Sequence, residues 1–283
     1  MNPIKPIASF VFIGFAFILF IVTVFLYYSY PEAEAQLGAL IYPNNLILDE
    51  SWRFISSCFL PLDWAEFFNI VFFFMFIVFF EGVVGWRRFI PIYLLSGVGT
   101  ALIVFSLLPA VAPFAPPFAL PGLSTCCMGA LGATLGLVFQ TWTDDKTKAL
   151  KWLSKGALVL YSFQLFDDYL TQPDLLLSHT IAPVLGLALF MAQDLFSRQG
   201  RKHWRAKIGF LVGFSLISAL LFIAGFGKTR EYWDSPKAMI SGAKICEALK
   251  NEACTAHYYL ESAKKEILRL NVKSDYVIVW ESV

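Results

Sequence analysis

Charge is what this chain has least of. Only 15% of its 283 residues are Asp, Glu, Lys or Arg, against about 25% in an ordinary soluble domain. The 22 basic and 21 acidic residues nearly cancel, leaving a net charge of +1. That excludes the one-signed surface by which nucleic acid is held. Histidine occurs three times, at His179, His203 and His257. No two of them stand at ligand spacing, so no metal site is expected. No phosphate loop or dinucleotide fingerprint occurs either, and no cofactor is expected. What the chain has instead is apolar residues, 58% of the total, with 29 Phe and 8 Trp. That is too greasy for a soluble enzyme or a disordered chain, and the class that remains is a polytopic membrane protein.

A membrane-crossing helix needs roughly 20 apolar residues. Seven stretches qualify: 7–28, 63–83, 89–108, 125–143, 150–166, 175–193 and 208–227. The first is too long in its apolar core for a cleaved signal peptide and is expected to be retained. Basic residues set the orientation. They gather at Arg87 and Arg88, at Lys146–Lys155, and between Arg198 and Lys207. The N-terminus is therefore expected in the cytoplasm. Residues 31–66, the Pro-rich loop after 108 and residues 167–174 are expected outside, and the bacterial cytoplasmic membrane is the favoured location. The chain divides into a six-span core, 1–200, a seventh helix, 201–230, and a small extracytoplasmic tail, 231–283. The tail has helical character over 241–270 and a strand-like run at 276–280. Cys246 and Cys254 stand eight apart in it. One continuous helix would hold them about 12 Å apart as free thiols, whereas a turn near 250–252 would let them form a disulfide.

Polar groups inside a membrane are functional candidates by default. Asn69, Glu81 and His179 qualify, and the glycines Gly129, Gly132 and Gly136 at the start of the fourth span need a reason. Each has a plain structural one. Asn69 can bond a neighbouring helix, Glu81 can reach toward Arg87 and Arg88, and His179 can sit at the interface. Gly132-x-x-x-Gly136 is also a close-packing motif.

Together, in order and spacing, these residues resemble the rhomboids, a family of intramembrane serine proteases, over about 51–186. Trp52-Arg53 is similar to a Trp-Arg pair of the family's first outward loop. Ser57-Cys58-Phe59-Leu60 precedes the second span as the family's Phe-Leu-His does. Asn69 stands for the Asn of its His-x-x-x-Asn, and Glu81, Gly85 and Arg88-Phe89 resemble the turn into the third span. Tyr93-Leu94-Leu95-Ser96-Gly97 and the run Gly129–Leu137 are close to family segments, and His179 with Gly186 resembles the sixth span.

The resemblance implies an all-α membrane bundle with a rhomboid-like six-helix core. It also implies a damaged site. On this alignment the nucleophile position is Leu131, expected to face His179. The oxyanion His is replaced by Ala65, the His of Phe-Leu-His by Pro61, and a helix-approach Gly by Ala182 followed by Pro183. The base-like His179 and the donor Asn69 remain, and His179 without its Ser is then an orphan. A Cys nucleophile, Cys127 with Ser124, Thr125 and Cys126 nearby, is the route to an active enzyme. The expected function is that of a pseudoprotease binding transmembrane segments of client proteins between spans two and five, with membrane lipid as the other partner. An active intramembrane peptidase with an unconventional nucleophile is one alternative. A transporter or channel is another, disfavoured because no internal repeat is visible and too few charged residues face one another to mark a polar path.

Overall fold

The structure is a computed structural model that describes residues 6–27, 39–42, 51–60, 64–111, 115–120, 122–143, 148–171, 175–195, 204–248 and 250–273. Its ten described α-helices are α1 (Ile7–Tyr27), the single turn α2 (Arg53–Ser56), α3 (Trp64–Val84), α4 (Trp86–Val111), α5 (Leu123–Thr143), α6 (Lys148–Thr171), α7 (Leu176–Leu195), α8 (Trp204–Trp233), α9 (Pro236–Ala248) and α10 (Glu252–Lys273). A 3₁₀ turn, Ser57–Phe59, follows α2. Two short strands, β1 (Leu40–Tyr42) and β2 (Phe118–Leu120), pair antiparallel with Tyr42 opposite Phe118. Helices dominate because a chain in lipid must satisfy its backbone polar groups within each segment.

By length and composition, four described helical stretches can cross a membrane: Trp86–Leu108, Leu123–Gln140, Leu176–Asp194 and Trp204–Trp233. Shorter apolar stretches, Ile7–Leu19 and Phe73–Val84, lie on α1 and α3. The stretch 150–166 lies on α6, where Lys148, Lys151, Lys155, Asp167 and Asp168 dilute the apolar run. The stretch 208–227 is part of a longer helix, since α8 continues to Trp233.

α5 is the central element, with 89% of its spanning window buried, whereas that of α8 is 17% buried. α8 turns Val212, Leu216, Leu220 and Ile223 outward, as a helix facing hydrocarbon does. Between helices in lipid, close van der Waals contact does the work that water exclusion does elsewhere. α5 and α7 achieve it through glycine. A Cβ at Gly186 would stand 1.9 Å from the Gly129 carbonyl oxygen, and one at Gly132 would stand 2.0 Å from that of Pro183. The expectation that Ala182 and Pro183 spoil this approach is therefore overturned: Ala182 is fully buried and Pro183 is itself part of the contact.

Glu81 does not reach for Arg87 and Arg88. It is completely buried, and its carboxylate accepts from the Ala8 and Ser9 backbone N–H groups at 2.9 and 2.6 Å and from the Ser9 hydroxyl. These are first-turn groups of α1, which lack helical partners and favour an anion. Gly85 then takes φ +81° between α3 and α4, a conformation costly for any residue with a side chain.

The tail is a helical hairpin. Lys250 turns at φ +56°, and the Asn251 side chain accepts from Cys254 N–H at 3.1 Å to cap α10. Cys246 and Cys254 form a disulfide, with Cα atoms 5.6 Å apart. The hairpin leans on the polypeptide before β2, where a Cβ at Gly242 would come within 3.0 Å of Pro116. Trp233, at the end of α8, stacks on Phe118 at 5.9 Å. The strand-like run 276–280 lies outside the described residues.

Candidate active site

α5 begins where two backbones meet. Gly122 N–H donates to the Ser57 carbonyl at 2.8 Å, and a Cβ at 122 would lie 3.0 Å from backbone atoms of Ser57 and Cys58. Only a residue without a side chain fits this approach unstrained. Cys126 N–H makes the first helical bond, to Gly122 O at 2.8 Å. The N–H groups of residues 123–125 precede it, at the positive end of the helix dipole. Ser124 is in this first turn and is buried.

Its hydroxyl meets a histidine. Ser124 Oγ lies 3.0 Å from His179 Nε2. The other ring nitrogen, Nδ1, lies 2.7 Å from Asp168 Oδ2 on α6, and the Gln164 side-chain N–H donates to Asp168 Oδ1 at 2.9 Å. Three helices thus each supply one member of a Ser–His–Asp chain, and the glycine contacts of α5 with α7 bring the first two within reach. His179 and Asp168 are each only 1% exposed. The neighbouring hydroxyls of Ser178 and Thr180 are turned back onto the carbonyl of Leu175, just before α7, and onto that of Leu177.

His179 is therefore no orphan. Leu131, the residue expected to face it, is seven positions beyond Ser124, about 10 Å farther along α5, and is buried in the apolar core. Cys127 and Cys126 are core residues too, and a Cβ at Gly97 would stand 2.1 Å from Cys126 Sγ. Gly129, Gly132, Gly136 and Gly186 serve helix contact: a Cβ at Gly136 would press on Leu187 and Phe190. Trp52 is exposed with the Arg53 guanidinium over its ring, and Arg53 Nη1 donates to Ala39 O at 3.0 Å, tying α2 to the chain before β1. Arg88 is exposed at the start of α4. Ala65 and Asn69 fall on α3, but their side chains, like Pro61, lie outside the described residues.

On sequence grounds Ser124 is only a neighbour of Cys127, and Asp168 falls in an expected outward loop. Two signals pointed to them. Gly122-x-Ser124 opens the fourth apolar stretch just after the Pro-rich loop, and Gln164 and Asp168 stand one turn apart at the end of an apolar run.

The rhomboid domain is matched over residues 48–222, more than half of the chain. No curated protein and no solved structure matches this chain. The matched region contains α2 to most of α8, including Ser124, Asp168 and His179. This chain, with its several apolar helices, is a membrane protein of the rhomboid family.

Proposed function

We propose that this protein is an intramembrane serine endopeptidase with Ser124 as nucleophile and His179 as its base. The observation that carries this reading is the 3.0 Å contact between Ser124 Oγ and His179 Nε2 in a buried site. Attack of Oγ on a peptide carbonyl passes the hydroxyl proton to Nε2, a transfer worth about 10²–10⁴-fold in rate. The tetrahedral intermediate collapses as His179 returns that proton to the departing amine nitrogen, leaving an ester on Ser124. Water, deprotonated by the same nitrogen, then frees the acid and restores the serine.

The oxyanion forms beside the first turn of α5, whose early N–H groups have no intrahelical acceptor. Asn69 is the side-chain donor that the family resemblance assigns. Ala65 removes a second one, and a missing donor lowers kcat by about 10²–10³. The enzyme is accordingly a slow one. The rival reading, client binding without cleavage, draws on Ala65 and on Leu131 as the nucleophile position. A hydroxyl already on His179 favours catalysis instead.

The substrate is a transmembrane segment of another protein, reaching the site between α3 and α6. Exposed Met75, Leu158, Val159 and Phe163 on these two helices suit such a partner or lipid. The N-terminus is cytoplasmic and the tail extracytoplasmic in a multi-pass protein, with the bacterial cytoplasmic membrane as the site of action.

A fluorophosphonate probe and a transmembrane reporter test the reading on the full chain in liposomes. Wild type labels and cuts, and S124A and H179A do neither. L131A still labels, although loss of a buried Leu side chain costs about 2–5 kcal/mol of stability. A folded wild type that neither labels nor cuts, or an S124A variant that cuts, overturns the proposal.

A further inference from the structure

The side chain that the two-residue mechanism leaves unused is Asp168. It is 1% exposed, on a helix separate from both Ser124 and His179, and both of its oxygens are engaged. A buried carboxylate is costly unless it is hydrogen-bonded. As a carboxylate it only accepts, so each neighbour must donate: Gln164 through its amide and His179 through Nδ1–H.

That fixes the imidazole. With the hydrogen on Nδ1, Nε2 presents its lone pair, and this is the nitrogen 3.0 Å from Ser124 Oγ. The carboxylate also balances the positive ring that exists once Nε2 has taken the serine proton, at a place with little water to do so. A role confined to tying α6 to α7 would not require the carboxylate to meet the ring nitrogen opposite the serine.

We infer that Asp168, steadied by Gln164, is a positioning residue that sets the tautomer and orientation of His179, so that the proposed peptidase works with a three-membered Ser124–His179–Asp168 relay. The inference rests on the peptidase reading above and deepens it. Because Asp168 is on α6, the base is correctly aimed only while α6 is seated against α7. A substrate that enters beside α6 must therefore do so without pulling Asp168 from the ring, and the outer end of α6 is the part that stays in place.

The test uses the full chain with D168N and D168E. D168N keeps the shape but not the obligatory acceptor. Its kcat on the reporter is expected to fall by about 10²–10⁴, by analogy with the same change in soluble triads, with KM within about twofold of wild type. D168E, which retains the carboxylate, recovers part of the rate. The second readout is magnetic resonance on protein carrying isotope-labelled histidine. Wild type shows a far-downfield imidazole N–H signal that vanishes in D168N and H179A and survives in S124A. A purely structural tie leaves kcat untouched in a folded D168N protein, and that result, or the absence of the signal from S124A, overturns the inference. A wild type that fails to label or cut refutes the peptidase reading instead, while the signal still decides whether Asp168 holds the ring.

Discussion

Gly186→Ala probes the contact that brings the reacting groups together. The added Cβ would sit 1.9 Å from the Gly129 carbonyl oxygen, and ordinary contact begins near 3.4 Å. The two helices must therefore part by about 1.5 Å along that line, since the obstacle is backbone and cannot rotate away. If α7 moves as a rigid body, the 3.0 Å Ser124–His179 contact opens well beyond hydrogen-bond range. Overpacking of this kind costs about 1–3 kcal/mol, and a misplacement of about 1 Å at a reacting pair lowers the rate by about 10²-fold. The assay pairs the rate of fluorophosphonate labelling with the thermal midpoint. Gly213→Ala on α8 is the control, because a Cβ there meets nothing within 4 Å. It is expected to label normally and to gain about 0.5–1 kcal/mol from better helix propensity. If G186A labels and melts like wild type, the glycine contact does not hold the site together.

Two further outcomes follow from other parts of the fold. Without reductant, a folded protein should present no reactive thiol, because Cys58, Cys126 and Cys127 are buried and Cys246 is bonded to Cys254. Two reactive thiols before reduction would contradict this, and C254S should cost the tail about 2–3 kcal/mol from the lost closure of a short loop. Glu81→Gln leaves one acceptor oxygen for donors that now share two. Amide exchange in the first turn of α1 should quicken and stability should fall by about 1–3 kcal/mol, and unchanged exchange would mean that the carboxylate is not what anchors α1.

Where the helices lie was legible from the apolar runs, because lipid demands both length and helicity. Gly129, Gly132 and Gly136 were legible as contact residues, since small residues at helical spacing have few other uses in a membrane. Which hydroxyl meets His179 was not. Ser124 and Leu131 are seven apart and so share a face of α5, and a pattern along one helix does not say how deep its partner sits. That depth is fixed by Gly129 meeting Gly186 and Gly132 meeting Pro183, contacts between segments more than 50 residues apart. Asp168 was hidden for a related reason. Its charge read as the start of a loop, but α6 continues to Thr171 and carries it inward to a partner on another helix.

The Glu81 carboxylate has a consequence for how the chain is made. Its partners, Ala8 and Ser9, lie 73 and 72 residues upstream, so α1 leaves the ribosome long before the group that will hold it. Until then water is the acceptor left to the first-turn N–H groups of α1. When α3 arrives, those waters give way to a carboxylate that joins α1 to α3 at their common end. Docking of α1 is thus a late event, timed by the synthesis of Glu81, and a nascent chain stopped short of that residue should leave α1 undocked.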